Sequence, residues 1–236
     1  MPAKPTAWLD GCIRTHRRIE DVLRGLTDAL ARRPSLLPDW TVGHVVTHLA
    51  RNADSHTRMV EAARRGEAVT QYAGGPPERE AAIAAGHGRP AAELVADLTA
   101  AQQRAERAWA ATSDEVWAVG LRLVGTGFNT IAWSAFQRWR EAEVHFADLG
   151  LTELGAPGWD ALSPAYVEGE LDELIPTLHR RVPEGSAILL VAGDRPSRVY
   201  GSGDKLVHIR ASAGRVLQYL MGRGGDPAWP ALPSWQ

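Results

Sequence analysis

The segment Glu141-Ala-Glu-Val-His145 sets a carboxylate and an imidazole four residues apart. On an α-helix that spacing places both side chains on one face, one turn apart, where a rigid element can present them to a single metal ion. Asp148 follows three residues later on the same face, as a fourth ligand or as a group that orients His145. A Glu-x3-His pair alone is common in helices. A second segment, His44-Val-Val-Thr-His48, supplies two more imidazoles on one face, and His56 lies two turns beyond His48. An inward histidine from one helix meeting an inward Glu/His pair from another gives three protein ligands and leaves coordination positions for water or substrate, as in catalytic metal sites. The alternative is a set of core or surface histidines with ordinary hydrogen bonds.

The elements that must carry these residues read as helices. Apolar residues recur at helical spacing from Trp8 to about Ala31, until Pro34 and Pro38 interrupt. Asp39 or Thr41 can cap a second helix, from Val42 to Arg65, with Trp40 packing on Val45 as a staple and Gly66 as the stop. Tyr72–Pro77 reads as a loop. A third helical region follows, broken at Gly86–Pro90 and resuming over Ala91–Ala111. Residues 112–129 carry no clear pattern. A fourth helix runs from a cap at Asn129 to Leu149, stopped by Gly150. Four long helices with moderate connections predict a four-helix bundle. The texture then changes. Glu153–Ser163 reads as a linker and 165–181 as a helix. Strands are expected at Ser186–Ala192, Ser197–Gly201 and Leu206–Ala211, joined by hairpin turns at Gly193–Asp194 and Gly203–Asp204, with a last helix over Gly214–Met221 before a tail rich in Pro and Trp.

Composition narrows the function classes. Of 236 residues, 44% are hydrophobic and 23% charged, as in a soluble globular protein. No apolar run approaches the roughly 20 residues of a membrane span. Met1–Leu9 lacks a basic start followed by an apolar core, so no secretory signal is expected and the cytoplasm is the expected location. A net charge of −2, with acidic residues interleaved among the arginines (Arg104, Glu106, Arg107; Arg138, Arg140, Glu141), points to solvated helix faces and away from nucleic acid. The single Cys12 excludes an internal disulfide and sits in an apolar-periodic stretch, where it reads as a small buried residue. A thiol reaction here needs a thiol from outside.

The phrase Leu37-Pro-Asp-Trp40-Thr41-Val-Gly43-His44-Val-Val-Thr-His48-Leu49-Ala50-Arg51-Asn52-Ala53 resembles a signature of the mycothiol-dependent maleylpyruvate isomerases, within the DinB-like metal-binding superfamily. Arg140-Glu141-Ala-Glu-Val-His145-Phe-Ala-Asp148-Leu149-Gly150 resembles their second signature. The resemblance implies an α plus α+β chain, with a DinB-like four-helix bundle over 1–152 and a smaller α+β domain similar to sterol carrier proteins over 160–236. It implies a divalent metal, zinc, on His48, Glu141 and His145, with His44 structural rather than ligating. It also implies the cis–trans isomerisation of maleylpyruvate to fumarylpyruvate in gentisate degradation. Rotation about a double bond is blocked until a nucleophile, here mycothiol, adds to the conjugated carbon; rotation and elimination then give the trans isomer. The two carboxylates of the substrate call for arginines, whose planar fork matches them. Arg79, after the glycine–proline loop, and Arg223, in Leu220-Met-Gly222-Arg223, are the candidates, each with a surface role as the alternative and Arg215 as a weaker competitor. Two other readings remain open: a mycothiol-dependent S-transferase on the same scaffold, and a non-enzymatic metal-binding module whose second domain binds a lipid or protein. Trp40, Trp133 and Trp139 read as core wedges.

Overall fold

The structure is a computed structural model in which residues 4–233 are described; the readings of Met1–Leu9 and of the Pro/Trp-rich tail fall partly outside them. Two compact units divide the chain, Met1–Ala156 and Pro157–Gln236.

The first unit contains α1 (Thr6–Leu23), α2 (Asp28–Arg32), α3 (Val42–Arg64), α4 (Gly75–Gly86), α5 (Ala91–Ala110), α6 (Asp114–Val119), a hairpin of β1 (Leu121–Val124) and β2 (Gly127–Thr130), and α7 (Ile131–Asp148). The bundle expected from the sequence is built by α1, α3, α5 and α7, with α1 and α3 each packed against both α5 and α7. Side-chain pairs give the directions. Thr15 meets Glu143 and Gly11 backs onto Trp139, so α1 and α7 run parallel. Arg51 meets Asp97 and Asp54 meets Arg104, so α3 and α5 run parallel. His48 meets Glu141 and Asn52 meets Arg138, so α3 opposes α7. Because α3 and α5 point the same way, the chain must return between them. Helix α4 is that return: it runs back along α3, with Arg79 beside His48 and His87, just past its end, stacked on His44.

Apolar burial holds the bundle together. Leu9, Cys12, Ile19 and Leu23 of α1 and Val45, Leu49, Ala53 and Val60 of α3 are all buried, at spacings of three, four or seven. Each large aliphatic among them contributes about 1.5–3 kcal/mol on burial. Thr41 begins α3 with a capping box: its hydroxyl accepts from the His44 amide, and His44 Nδ1 accepts from the Thr41 amide at 3.1 Å. The chosen cap is therefore Thr41 and not Asp39, which takes φ +62° in the preceding turn.

Several local expectations are corrected. The first helix stops at Leu23, because Gly25 weakens the helix there and Thr27 caps a separate α2 by accepting from the Leu30 amide. The supposed loop at Tyr72–Pro77 already contains the first turn of α4, where Pro76 and Pro77 need no donor. Unpatterned residues 112–129 hold α6 and most of the hairpin. Thr130, not Asn129, caps α7 by accepting from the Trp133 amide. The reading of Arg138 as part of a solvated face fails outright, since its side chain is wholly buried.

The second unit contains α8 (Pro164–Leu174), β3 (Ser186–Ala192), β4 (Arg198–Gly201), β5 (Lys205–Ala211) and α9 (Ala213–Leu220). This is the expected smaller α+β portion. Its first helix ends at Leu174 and continues to Arg180 only as a 3-10 helix, because Pro176 cannot supply the α-helical donor. The order is β4-β3-β5, with β3 antiparallel to β4 and parallel to β5. Gly193–Asp194 lies in the expected hairpin connection. Gly203–Asp204 does not: here the chain crosses beneath the start of β3 to its far side. The crossing is so tight that a Cβ on Gly203 would stand 1.9 Å from the Gly185 carbonyl carbon, so only glycine fits. Among the described residues no helix is long and apolar enough to cross a membrane.

Gly43 decides how closely the far end of α4 approaches α3, since a Cβ there would lie 2.3 Å from the His87 carbonyl oxygen. Gly43→Ala is expected to lower stability by about 1–3 kcal/mol through overpacking. The urea midpoint measures it, and an unchanged midpoint would show that α4 can shift without cost.

Candidate metal centre

Two facing stripes build the centre. On α7, Arg138, Glu141, His145 and Asp148 recur at intervals of three and four, and on α3 His48, Asn52 and His56 do the same. Antiparallel packing matches them in rungs. His48 Nε2 lies 2.8 Å from Glu141 Oε2, and His145 Nε2 lies 3.5 Å from the same oxygen. The two imidazole rings are 4.6 Å apart between centroids and nearly perpendicular. One donor atom from each of His48, Glu141 and His145 falls within 4.8 Å of the others, close enough to share one ion. Asp148 Oδ2 sits 3.0 Å from His145 Nδ1, the contact that aims the opposite ring nitrogen at the cluster.

The electrostatics of His48 and Glu141 suit metal ligands. Burial pushes His48 down to about 4, so its imidazole is neutral and keeps a lone pair. Burial alone would raise the Glu141 carboxyl. The imidazoles of His145 and His48 outweigh it and hold the group well below the usual carboxylate range. His145 is pulled down by burial but raised further by the carboxylates of Asp148 and Glu141.

The sequence candidates fall in different places. Arg79 lies beside the cluster, its Nη2 3.4 Å from His48 Nδ1 and its guanidinium over the Trp40 ring at 5.8 Å. His44 works in the capping box and stacks on His87 at 3.6 Å between centroids. His56 is buried farther along α3. Arg223 lies in the second unit, just past α9, with Nη1 3.5 Å from the Met221 carbonyl; Arg215, on α9, is exposed and bonded to Gln218. Trp139 is the core wedge expected, its indole nitrogen donating to Thr15. Trp40 instead stands against the rings of His44 and His48 and forms part of the site wall.

Sequence reasoning missed the rung below. Arg138 donates to Asn52 Oδ1 at 3.0 Å and reaches His16 Nε2 at 3.3 Å, while His16 Nδ1 meets Glu106 at 2.9 Å. This ties α1, α3, α5 and α7 together one turn from the cluster. The available signal was position: Arg138 stands three residues before Glu141, in the register of the inward stripe. Cys12 lies 3.4 Å from His16 and is pushed up to about 12 by burial, so it stays a thiol.

Together the fold and the cluster define a helical-bundle protein with a largely buried two-histidine, one-carboxylate cluster. The chain belongs to the family described as mycothiol maleylpyruvate isomerase N-terminal domain, which matches residues 13–150. A crystal structure of the mycothiol-dependent maleylpyruvate isomerase superposes with a TM-score of 0.81 at 23% identity, covering 100% of this chain and 98% of that one. A structure of a histidine-to-alanine mutant, described by the same name, gives 0.81 at 22% identity with the same coverage. At such identities the likeness shows the fold. Comparison with curated proteins finds no match.

The buried rung makes a pH prediction. Burial holds His16 at about 4 in the folded protein, against 6.5 ordinarily. The folded state therefore binds fewer protons than the unfolded state between those values. Its contribution is present in full above pH 6.5, declines as pH falls toward 4, and is flat below. At about 1.4 kcal/mol per unit, the loss amounts to about 3 kcal/mol. Urea unfolding between pH 7 and 4 measures the slope. His48 and His56, also held down by burial, add their own shares. His16→Gln should therefore lessen the slope without abolishing it, and an equal slope in that variant would assign the titration elsewhere.

Proposed function

We propose that the protein is a mycothiol-dependent maleylpyruvate isomerase whose zinc ion is held by His48, Glu141 and His145. The observation that carries this reading is the convergence of those three side chains, from two antiparallel helices, on one largely buried point. Membership of the family and the shared fold support it. Two imidazoles and one carboxylate form a donor set that suits zinc and leaves a position open.

Bound zinc would favour the thiolate form of an incoming thiol or polarise a substrate oxygen. The chain's own part is to hold that ion and place the reactants. Glu141 stays ionised between its two histidines, and Asp148 fixes the orientation of His145. Arg79 presents a guanidinium at the edge of the cluster, where a substrate carboxylate can accept from it. Arg223 is proposed as the second carboxylate anchor. Cys12 is sealed and protonated, so the nucleophile has to be external. In the reaction a sulfur–carbon bond forms as the π pair moves to the carbonyl oxygen. The carbon–carbon bond rotates, the pair returns, and the sulfur–carbon bond breaks to release the thiol unchanged. The small dicarboxylate and mycothiol are the proposed partners, and the cytoplasm the proposed location.

Purified protein is expected to contain about one zinc per chain and to isomerise maleylpyruvate only with mycothiol present. Conjugates formed without isomerisation would instead identify an S-transferase, and a folded protein that takes up no zinc would remove both enzyme readings. Asp148→Asn should weaken zinc affinity by about 10–100-fold in a chelator competition. Arg223→Ala should cut turnover by about 10²–10³-fold with zinc content unchanged; unaltered kinetics would take Arg223 out of the reaction.

A further inference from the structure

A cleft of about 210 Å³ opens on the first unit beside the cluster, between α3 and the start of α4, with the residues around Gln71 and Tyr72 as its third wall. Its position is fixed by the cluster's own elements. Arg51 and Ser55 line it from α3, one and two turns beyond His48, about 5 and 10 Å along the helix axis. Glu78 lines it from α4 and is the neighbour of Arg79, whose guanidinium touches His48. A ligand bridging cleft and cluster therefore needs only a short linker.

The lining selects against a second anion. Arg51 and Arg58 face Asp54 and Glu78, so the cleft's formal charges cancel. Both guanidinium groups are also engaged, Arg51 with Asp97 at 2.6 Å and Arg58 with the Gln71 carbonyl at 2.7 Å. What remains is a ring of neutral donors and acceptors. Gln71 Nε2 donates to Ser55 Oγ at a long 3.3 Å. Burial raises the Tyr72 phenol, against the pull of the Ser55 hydroxyl, so it stays an O–H group with an aromatic face beside it. Arg51 Nε is buried with no hydrogen-bond partner among the described residues. Balanced charge, interleaved donors and acceptors, and one aromatic ring suit a polyol, whose hydroxyls both donate and accept. The volume is below the usual range for a whole drug-sized ligand, and suits one sugar-like ring.

We propose that this cleft binds the sugar-like part of the thiol co-substrate, so that Ser55, Gln71 and Tyr72 position its sulfur at the cluster. The proposal rests on the thiol-dependent reading above and gives that thiol its specificity: a thiol without the polyol reaches the cluster but is not held.

The test titrates zinc-loaded full-length protein with sulfur-free glucosaminyl-inositol, the polyol part of mycothiol, and measures turnover with mycothiol and with N-acetylcysteine. The wild type should bind the polyol alone. Tyr72→Phe and Gln71→Ala should each weaken that binding about tenfold, with zinc content and helicity retained. They should raise KM for mycothiol about tenfold more than KM for N-acetylcysteine. Polyol binding that is absent from the wild type or equal in both variants overturns the proposal, as do KM values that rise in step for the two thiols. If no thiol supports isomerisation, the isomerase reading falls, while the polyol titration still decides whether the cleft is a sugar site.

Discussion

One carboxylate shared by two imidazoles governs this structure. Glu141 Oε2 receives His48 from across the bundle and His145 from one turn along its own helix. For both contacts to exist, α3 and α7 must run antiparallel at a fixed register, with the polar stripe of each turned inward. A slide of one residue on either helix would rotate a ligand off the interface, since successive helical residues point about 100° apart. The apolar packing of α1, α3, α5 and α7 supplies the adhesion, and the cluster needs one register out of it.

Burying such groups is costly unless each finds a partner. The bundle meets the cost by continuing the polar column. Below the cluster, Arg138 bonds Asn52 and reaches His16, and His16 meets Glu106, which takes Arg17 at the surface. The column thus passes from a buried guanidinium to solvent through partners on four helices. Burial keeps His16 uncharged and Glu106 is paired with His16 and Arg17, while the buried Arg138 guanidinium is held by neutral groups and its Nε has no hydrogen-bond partner among the described residues. Apolar contacts could hold the helices together as well, but they would fix neither the register nor the charge around Glu141 as tightly.

The parallel run of α3 and α5 has a consequence for the site. A chain that must return between parallel helices lays an extra helix across the bundle, and α4 does so along α3. That places Arg79 against His48, and Glu78 with the residues around Gln71 and Tyr72 along α3 beyond it. Trp40, held on His44 at the start of α3, stands against His48 with the Arg79 guanidinium over its ring. Connectivity alone thus turns a ligand cluster into a walled site, with a cation at its mouth and a neutral polar cleft beside it.

The metal-type cluster was legible in the sequence because helical periodicity is local: Glu141 and His145 share a face wherever the helix sits, and so do His44 and His48. The bundle was legible for the same reason, through apolar residues at spacings of three and four, and the change of texture after Gly150 announced the α+β portion. Local pattern could not say which histidine of α3 faces the carboxylate. Nor could it show that Arg138, amid charges that look solvated, lies inside, or that Trp40 lines the site. Each of these depends on which helix packs opposite, information that no short segment contains. The crossing at Gly203 has the same origin: a glycine–aspartate pair reads as a hairpin turn until the Gly185 backbone is found beneath it. Residue spacing set which side chains could act together on one helix. Helix packing set which did so across helices, because the distance between segments does not follow from their separation along the chain.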